Sequence, residues 1–139
     1  MRIIKAFPPN YNQIVKAFPF IRGRVGILYA WGDRLFNPSN IEVPPYLMSH
    51  EKVHGERQLK GRQNSIEKWW GQYMEDPHFR LKEELLAHIA EYEAYHREHS
   101  DKDTERYLST IASRLSSSLY GNLCTKAQAV TWITRETVE

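Results

Sequence analysis

The spacing of apolar positions changes character near Pro44. Upstream, short apolar runs stand between glycines and prolines. Gln13–Phe18 reads as a weak strand, and Arg24–Ala30, β-branched and aromatic between glycines, as a better one. Trp31-Gly32-Asp33 is a turn leading into Arg34–Asn37, so a hairpin is the expected pairing. Pro38 and Pro44-Pro45 then interrupt the chain.

Downstream the period becomes helical. Pro44-Pro45 suits a first helical turn, and Leu47 through Gln58 carries no breaker but Gly55 before Gly61 offers a stop. Asn64 or Ser65 caps a short aromatic helix holding Trp69, Trp70 and Tyr73. Asp76-Pro77 joins a capping acid to a first-turn proline and opens a helix expected to run to about Ser100. Leu108, Ile111, Leu115 and Leu119 share one face of another amphipathic helix, stopping at Gly121. Thr125 and Gln128 form a capping-box pair ahead of a last short helix with Ala129, Val130 and Ile133. No repeat, low-complexity segment or linker divides residues 1–139. They read as one α+β domain, a small N-terminal antiparallel sheet or hairpin followed by helices.

Composition narrows the function classes. With 41% hydrophobic, 26% charged and 12% aromatic residues, disorder, collagen-like repeats and coiled coil are poor descriptions. A formal charge of +2 is too small to imply a nucleic-acid or membrane partner. Its distribution is uneven, since Arg2, Lys5, Lys16, Arg22 and Arg24 all precede the first acid, Asp33. That basic arm can meet phosphate or an acidic substrate, with solvated surface the favoured reading; a nucleic-acid partner would announce itself by steep salt dependence. Cys124 is the only cysteine, which excludes an intrachain disulfide and a cysteine-type structural zinc site; a buried or half-buried small residue is expected there. The N-terminus lacks a signal peptide's apolar run, and no stretch nears the roughly 20 residues of a membrane helix. A cytoplasmic location off the membrane is the expectation.

The chemistry concentrates in His50-Glu51-Lys52-Val53-His54. Helical residues four apart lie on one face, so both imidazoles can reach one metal ion. Glu51, one step round the helix, is free to reach a water instead of ligating. Two histidines leave Zn²⁺ room for a third protein ligand and a water, the pattern of a catalytic site. A metzincin would need Gly at position 57 and His at position 60, where this chain has Arg57 and Lys60. The next dense source of ligands is the helix after Pro77, whose i, i+4, i+7, i+11 face presents Glu84, His88, Glu91 and Tyr95. Glu84 is the first choice for a His₂Glu site, with Glu83, His88 and Glu91 behind it. For Glu83 and Glu91 a solvated helix face is the expected setting.

Pro45 through Gln58 resembles the active helix of small gluzincin-like proteins, especially those of bacteriophages and their bacterial relatives. In these a Gln, an aromatic segment and an Arg-x-x-x-Glu-x-x-Ala element follow. Here they are similar to Gln58, Trp69-Trp70-Gly71-Gln72-Tyr73 and Arg80 through Ala87. The resemblance covers residues 25–95 and more loosely Leu115–Gly121. It implies a zincin-like fold, His50 and His54 as ligands, Glu84 as third ligand and Glu51 as general base. One departure stands out: after that Ala such proteins commonly carry Tyr, and this chain has His88. His88 would then bind substrate or stabilise the transition state in the tyrosine's place, or mark altered or lost activity.

A donor for the oxyanion is sought among His88, Tyr95 and Tyr120. Trp69, Trp70 and Tyr73 are expected in the core before the wall of a pocket. The reading is a zinc peptidase acting on a peptide or protein, with a strand near Val25–Ala30 or Arg34–Asn37 edging the cleft. The competing reading is a zinc-stabilised structural or interaction protein of phage type that keeps the site without proteolysis.

Overall fold

The computed structural model describes residues 1–61 and 65–138; Asn64, one of the two expected caps, lies outside them. The architecture is α+β. β1 (Arg2–Ile4), β2 (Tyr29–Trp31) and β3 (Arg34–Phe36) form one sheet in the order β1-β3-β2. The expected hairpin is there, with Trp31 opposite Arg34 and Tyr29 opposite Phe36. β1 joins β3 in parallel, so the sheet is not purely antiparallel. Three residues, Arg2–Ile4, with no alternation of exposure were too short a pattern to announce it.

Two strand expectations fail. Gln13–Phe18 lies mostly in α1 (Tyr11–Ala17), which buries Ile14 and Val15 against the core. Their β-branched character suggested a strand, but propensity yields to tertiary burial. Of Arg24–Ala30, only the end enters β2. Gly23 and Gly26 adopt φ of +78° and +84°, and Arg24 N donates to Ile21 O at 2.9 Å. The chain turns there instead of extending.

The helices follow the expected order: α2 (Pro45–Leu59), α3 (Ser65–Glu75), α4 (Pro77–Glu98), α5 (Asp101–Leu115) and α6 (Lys126–Val138). Asp76 caps α4 through the backbone N–H groups of His78 and Phe79. Thr125 and Gln128 exchange the two capping-box bonds. α5 ends at Leu115, six residues before Gly121. There Ser116 Oγ and Ser117 Oγ donate to the carbonyls of Ala112 and Arg114, and Ser117 Oγ accepts from Leu119 N, competing with helix continuation. Leu119 therefore leaves the helical face and joins a turn that carries Tyr120.

Two apolar clusters flank the α2–α4 seam. One gathers Ile14, Ile21, Tyr29, Trp31, Phe36, Trp69, Trp70 and Tyr73; the other, Ile111, Ala112, Leu115, Tyr120, Ala129 and Ile133. Between α2 and α4 the buried side chains are polar: His50, Glu51, His54 and Gln58 from α2, with Arg80, Glu83, Glu84, His88 and Glu91 from α4. Buried polar and ionised groups cost free energy unless partnered, so a helix pair packed through them calls for a chemical explanation.

Gln58 and Gly55 fix α2 against the hairpin. Gln58, fully buried, accepts from Gly32 N at 2.7 Å and donates to Ala30 O at 3.0 Å. A Cβ on Gly55 would stand 2.1 Å from Gly32 O, so only glycine permits the approach. No helix among the described residues is long and apolar enough to cross a membrane.

Candidate metal centre

The helical spacing of α2 brings both imidazoles to the α4 side. His54 Nε2 lies 3.1 Å from Glu84 Oε2, and His50 Nε2 lies 3.4 Å from Glu84 Oε1. One ligating atom from each of His50, His54 and Glu84 falls within 4.8 Å of the others, and all three residues are buried. Glu84 Oε1 and His54 Nδ1 have no hydrogen-bond partner among the described residues. A buried carboxylate facing the Nε2 atoms of His50 and His54, with one oxygen that makes no hydrogen bond among the described residues, is a two-nitrogen, one-oxygen donor set of the kind that holds a divalent transition-metal ion. Glu84 Oε2 in turn accepts from the Tyr73 hydroxyl at 2.6 Å.

His50 is held from behind. Its Nδ1 donates to Glu91 Oε1 at 2.8 Å, which turns Nε2 toward Glu84. Glu91 is itself fixed by the Tyr107 hydroxyl and by Arg114 Nη1, at 2.9 Å from Oε1 and 3.1 Å from Oε2. A carboxylate behind a ligating histidine sets the tautomer and raises its basicity. His54 has no such partner and instead packs its ring edge-on to Trp69, centroids 5.3 Å apart. Trp69 is held by Glu83, whose Oε1 accepts from Trp69 Nε1 at 2.7 Å and from Arg57 Nε at 2.6 Å.

Glu83 and Glu91 are thus not the solvated helix face expected of them: 1% and 0% exposed, both sit in the seam. The polar stripe of α4 faces inward because α2 offers histidine and arginine partners there. The i, i+7 spacing of Glu84 and Glu91 carried this signal, while the donors Tyr107 and Arg114, on a different helix, were not legible.

The electrostatics follow from the crowding. Burial alone would lower the His50 pKa, but the neighbouring carboxylates of Glu84 and Glu91 outweigh it and raise it to about 10. Glu84 moves the other way: desolvation opposes its ionisation, yet His54 and His50 hold it well below the usual carboxylate range. Glu91 is likewise depressed, its burial outweighed by His50 and Arg114. Glu51, 7% exposed with Oε1 3.9 Å from His50 Nε2, is raised, chiefly by burial and against the pull of His50 and His54.

A cavity of about 350 Å³ opens onto these residues and is lined by His50, Glu51, His54 and Glu84. Trp69, Trp70 and Tyr73 belong both to the core and to its wall. Tyr120 also lines it, its phenol kept protonated well above the usual range by burial and by the charge of Glu84. Arg80 anchors both tyrosines, donating from Nε to Tyr120 O and from Nη1 to Tyr73 O.

His88 is elsewhere. Fully buried behind His50, with ring centroids 4.7 Å apart, it is not among the residues lining the cavity. Its Nδ1 bonds Glu84 O at 2.6 Å, and burial together with His50 lowers its pKa to about 3. His88 also lies within ligand distance of His50 and Glu91. In that group Glu91 already serves His50, Tyr107 and Arg114, while His88 Nε2 has no hydrogen-bond partner among the described residues. Tyr95 is placed away from the site, stacked between His99 and Tyr107 at 3.7 and 4.1 Å. Cys124 is half-buried and free, as expected.

Compared with protein-family models, characterised proteins and solved structures, the chain matches none.

Proposed function

We propose that this chain is a zinc-dependent peptidase that uses Glu51 as general base, with His50, His54 and Glu84 as metal ligands. The observation that carries the reading is the convergence of His50 Nε2, His54 Nε2 and the Glu84 carboxylate on the wall of a cavity that also holds Glu51. Zinc held there supplies a Lewis acid for a peptide carbonyl and lowers the pKa of a water to about 7.

The chain's own groups supply the rest. Glu51 accepts the attacking water's proton on a carboxylate oxygen and passes it to the leaving amine. Its raised pKa brings it toward the range in which it can do both. The Tyr120 hydroxyl, kept protonated, is the cavity's O–H donor for the developing oxyanion, a role the placement of His88 does not suit. Glu91 holds His50 in the tautomer that leaves Nε2 free, and Tyr73 holds Glu84.

β2 is the free edge of the sheet beside the cavity. Ala30 O is already taken by Gln58 and Trp70, at 3.0 and 3.1 Å. A peptide adding as a strand would therefore pair before Ala30, along Gly26–Tyr29, which lines the cavity. The competing role, a zinc-stabilised structural or interaction protein of phage type, needs no approach to Glu51; the open cavity favours hydrolysis. The test is Glu51→Gln. It should keep its zinc and lose about 10²–10⁴-fold in turnover of a peptide library, and turnover equal to the parent's would sink the mechanism.

A further inference from the structure

We infer that the cavity takes a large apolar side chain of a peptide whose flanking residues are acidic, an assignment that rests on the peptidase reading above. Part of the cavity's lining is apolar, from Phe18, Ile21, Ile27 and Leu28 of the N-terminal segment and from Trp70 of α3. At about 350 Å³ it lies in the size range of pockets that enclose a small ligand. An aromatic or branched aliphatic side chain fits such a lining, because its transfer from water is favourable by about 1.5–3 kcal/mol.

The rim sets the charge. Ile21 and Gly26 both line the cavity, and the turn between them carries Arg22 and Arg24. Both arginines are exposed, and neither has an acidic partner within ion-pair distance among the described residues. Lys16, also exposed, is on the helix just before, and no acid precedes Asp33. Lys16 and Arg22 line a separate hollow beside α1, so the turn is an unneutralised positive stretch adjoining the cavity's lining at Ile21 and Gly26 without being part of it. A peptide entering past that turn meets cations first and the apolar lining next. Phe20 and Val25, 44% and 84% exposed, add apolar contact on the same turn. Basic and apolar residues on one turn also suit an anionic membrane surface. The apolar surface, however, continues inward to the residues around His54, where an extended chain reaches and a bilayer face does not.

The test measures binding to the zinc-loaded Glu51→Gln chain, so that it does not depend on turnover. Three short fluorescent peptides share a central Phe and differ only in flanks: Asp/Glu, Ser/Gly or Lys/Arg. A fourth has acidic flanks and Ala at the centre. At low salt the acidic-flank Phe peptide should bind tightest, by about tenfold over the neutral one, with the advantage fading as salt screens it. Exchanging its Phe for Ala should cost at least about tenfold. In the added double substitution Arg22→Glu/Arg24→Glu the order of the three flanks should reverse. Equal binding of the three, tightest binding of the basic one, or no binding at all overturns the inference. So does sedimentation with phosphatidylserine vesicles without discrimination among the peptides. Zinc content and cleavage by the unsubstituted chain are read in parallel. The expected ranking without cleavage would leave the acidic-peptide groove standing and sink the peptidase reading alone.

Discussion

At the residue scale the site is defined by which polar atoms have partners. His50 donates one ring nitrogen to Glu91 and turns the other toward Glu84, whose Oε1 makes no hydrogen bond among the described residues. Glu91→Gln keeps the shape but removes the charge behind His50. It should weaken zinc binding about 10–100-fold, measured by competition with a chromophoric chelator; an unchanged affinity would deny Glu91 its orienting role. On the proposed reading the same carboxylates make zinc uptake proton-linked. With the His50 pKa raised to about 10, its Nε2 proton has to leave before that nitrogen can donate to a metal. Below that value each unit of falling pH should cost about tenfold in apparent affinity for each proton released. Calorimetry in buffers of different ionisation enthalpy counts the proton, and zinc affinity flat between pH 6 and 8 would contradict the linkage. Glu84, His50 and His54 were legible in sequence because helical spacing alone puts them on facing stripes. The burial of Glu83 and Glu91 was not, since an acid's surroundings depend on what the other helices bring.

At the element scale, punctuation and capping fixed α2, α3, α4 and the hairpin, whose signals are local: Pro44-Pro45, Asp76-Pro77 and Gly32-Asp33. Elements settled by tertiary packing escaped. α1 is helical because Ile14 and Val15 are buried together, β1 exists only by pairing with β3, and α5 stops where serines capture its last carbonyls. The α2–hairpin contact is the joint between the two regimes. Alanine at an open helical glycine is favourable by up to about 1 kcal/mol. Gly55→Ala should show the opposite sign, destabilising by about 1–3 kcal/mol or more, because its Cβ meets Gly32 O. Gly71 in α3, with no atom within 4 Å of a built Cβ, is the control, and Gly71→Ala should be neutral or stabilising. Urea unfolding of the two variants reads the difference; equal effects would show that the close approach does not constrain α2.

At the scale of the whole molecule, two apolar clusters hold apart a polar seam that is poorly explained as packing. Neither α2 nor α4 has the strongly one-sided apolar pattern of an ordinary surface helix, because the face each buries is made of His, Glu, Gln and Arg. A pair of helices joined this way is stabilised by whatever partners its ligating atoms, and a bound ion favours the folded chain in proportion to its occupancy. The most direct measurement is the metal content of the purified chain beside that of His54→Ala and Glu84→Ala, with the fold of each checked by circular dichroism. The account expects about one zinc per parent chain, lost in both folded variants. A folded parent chain that binds no metal when offered zinc in excess would contradict it.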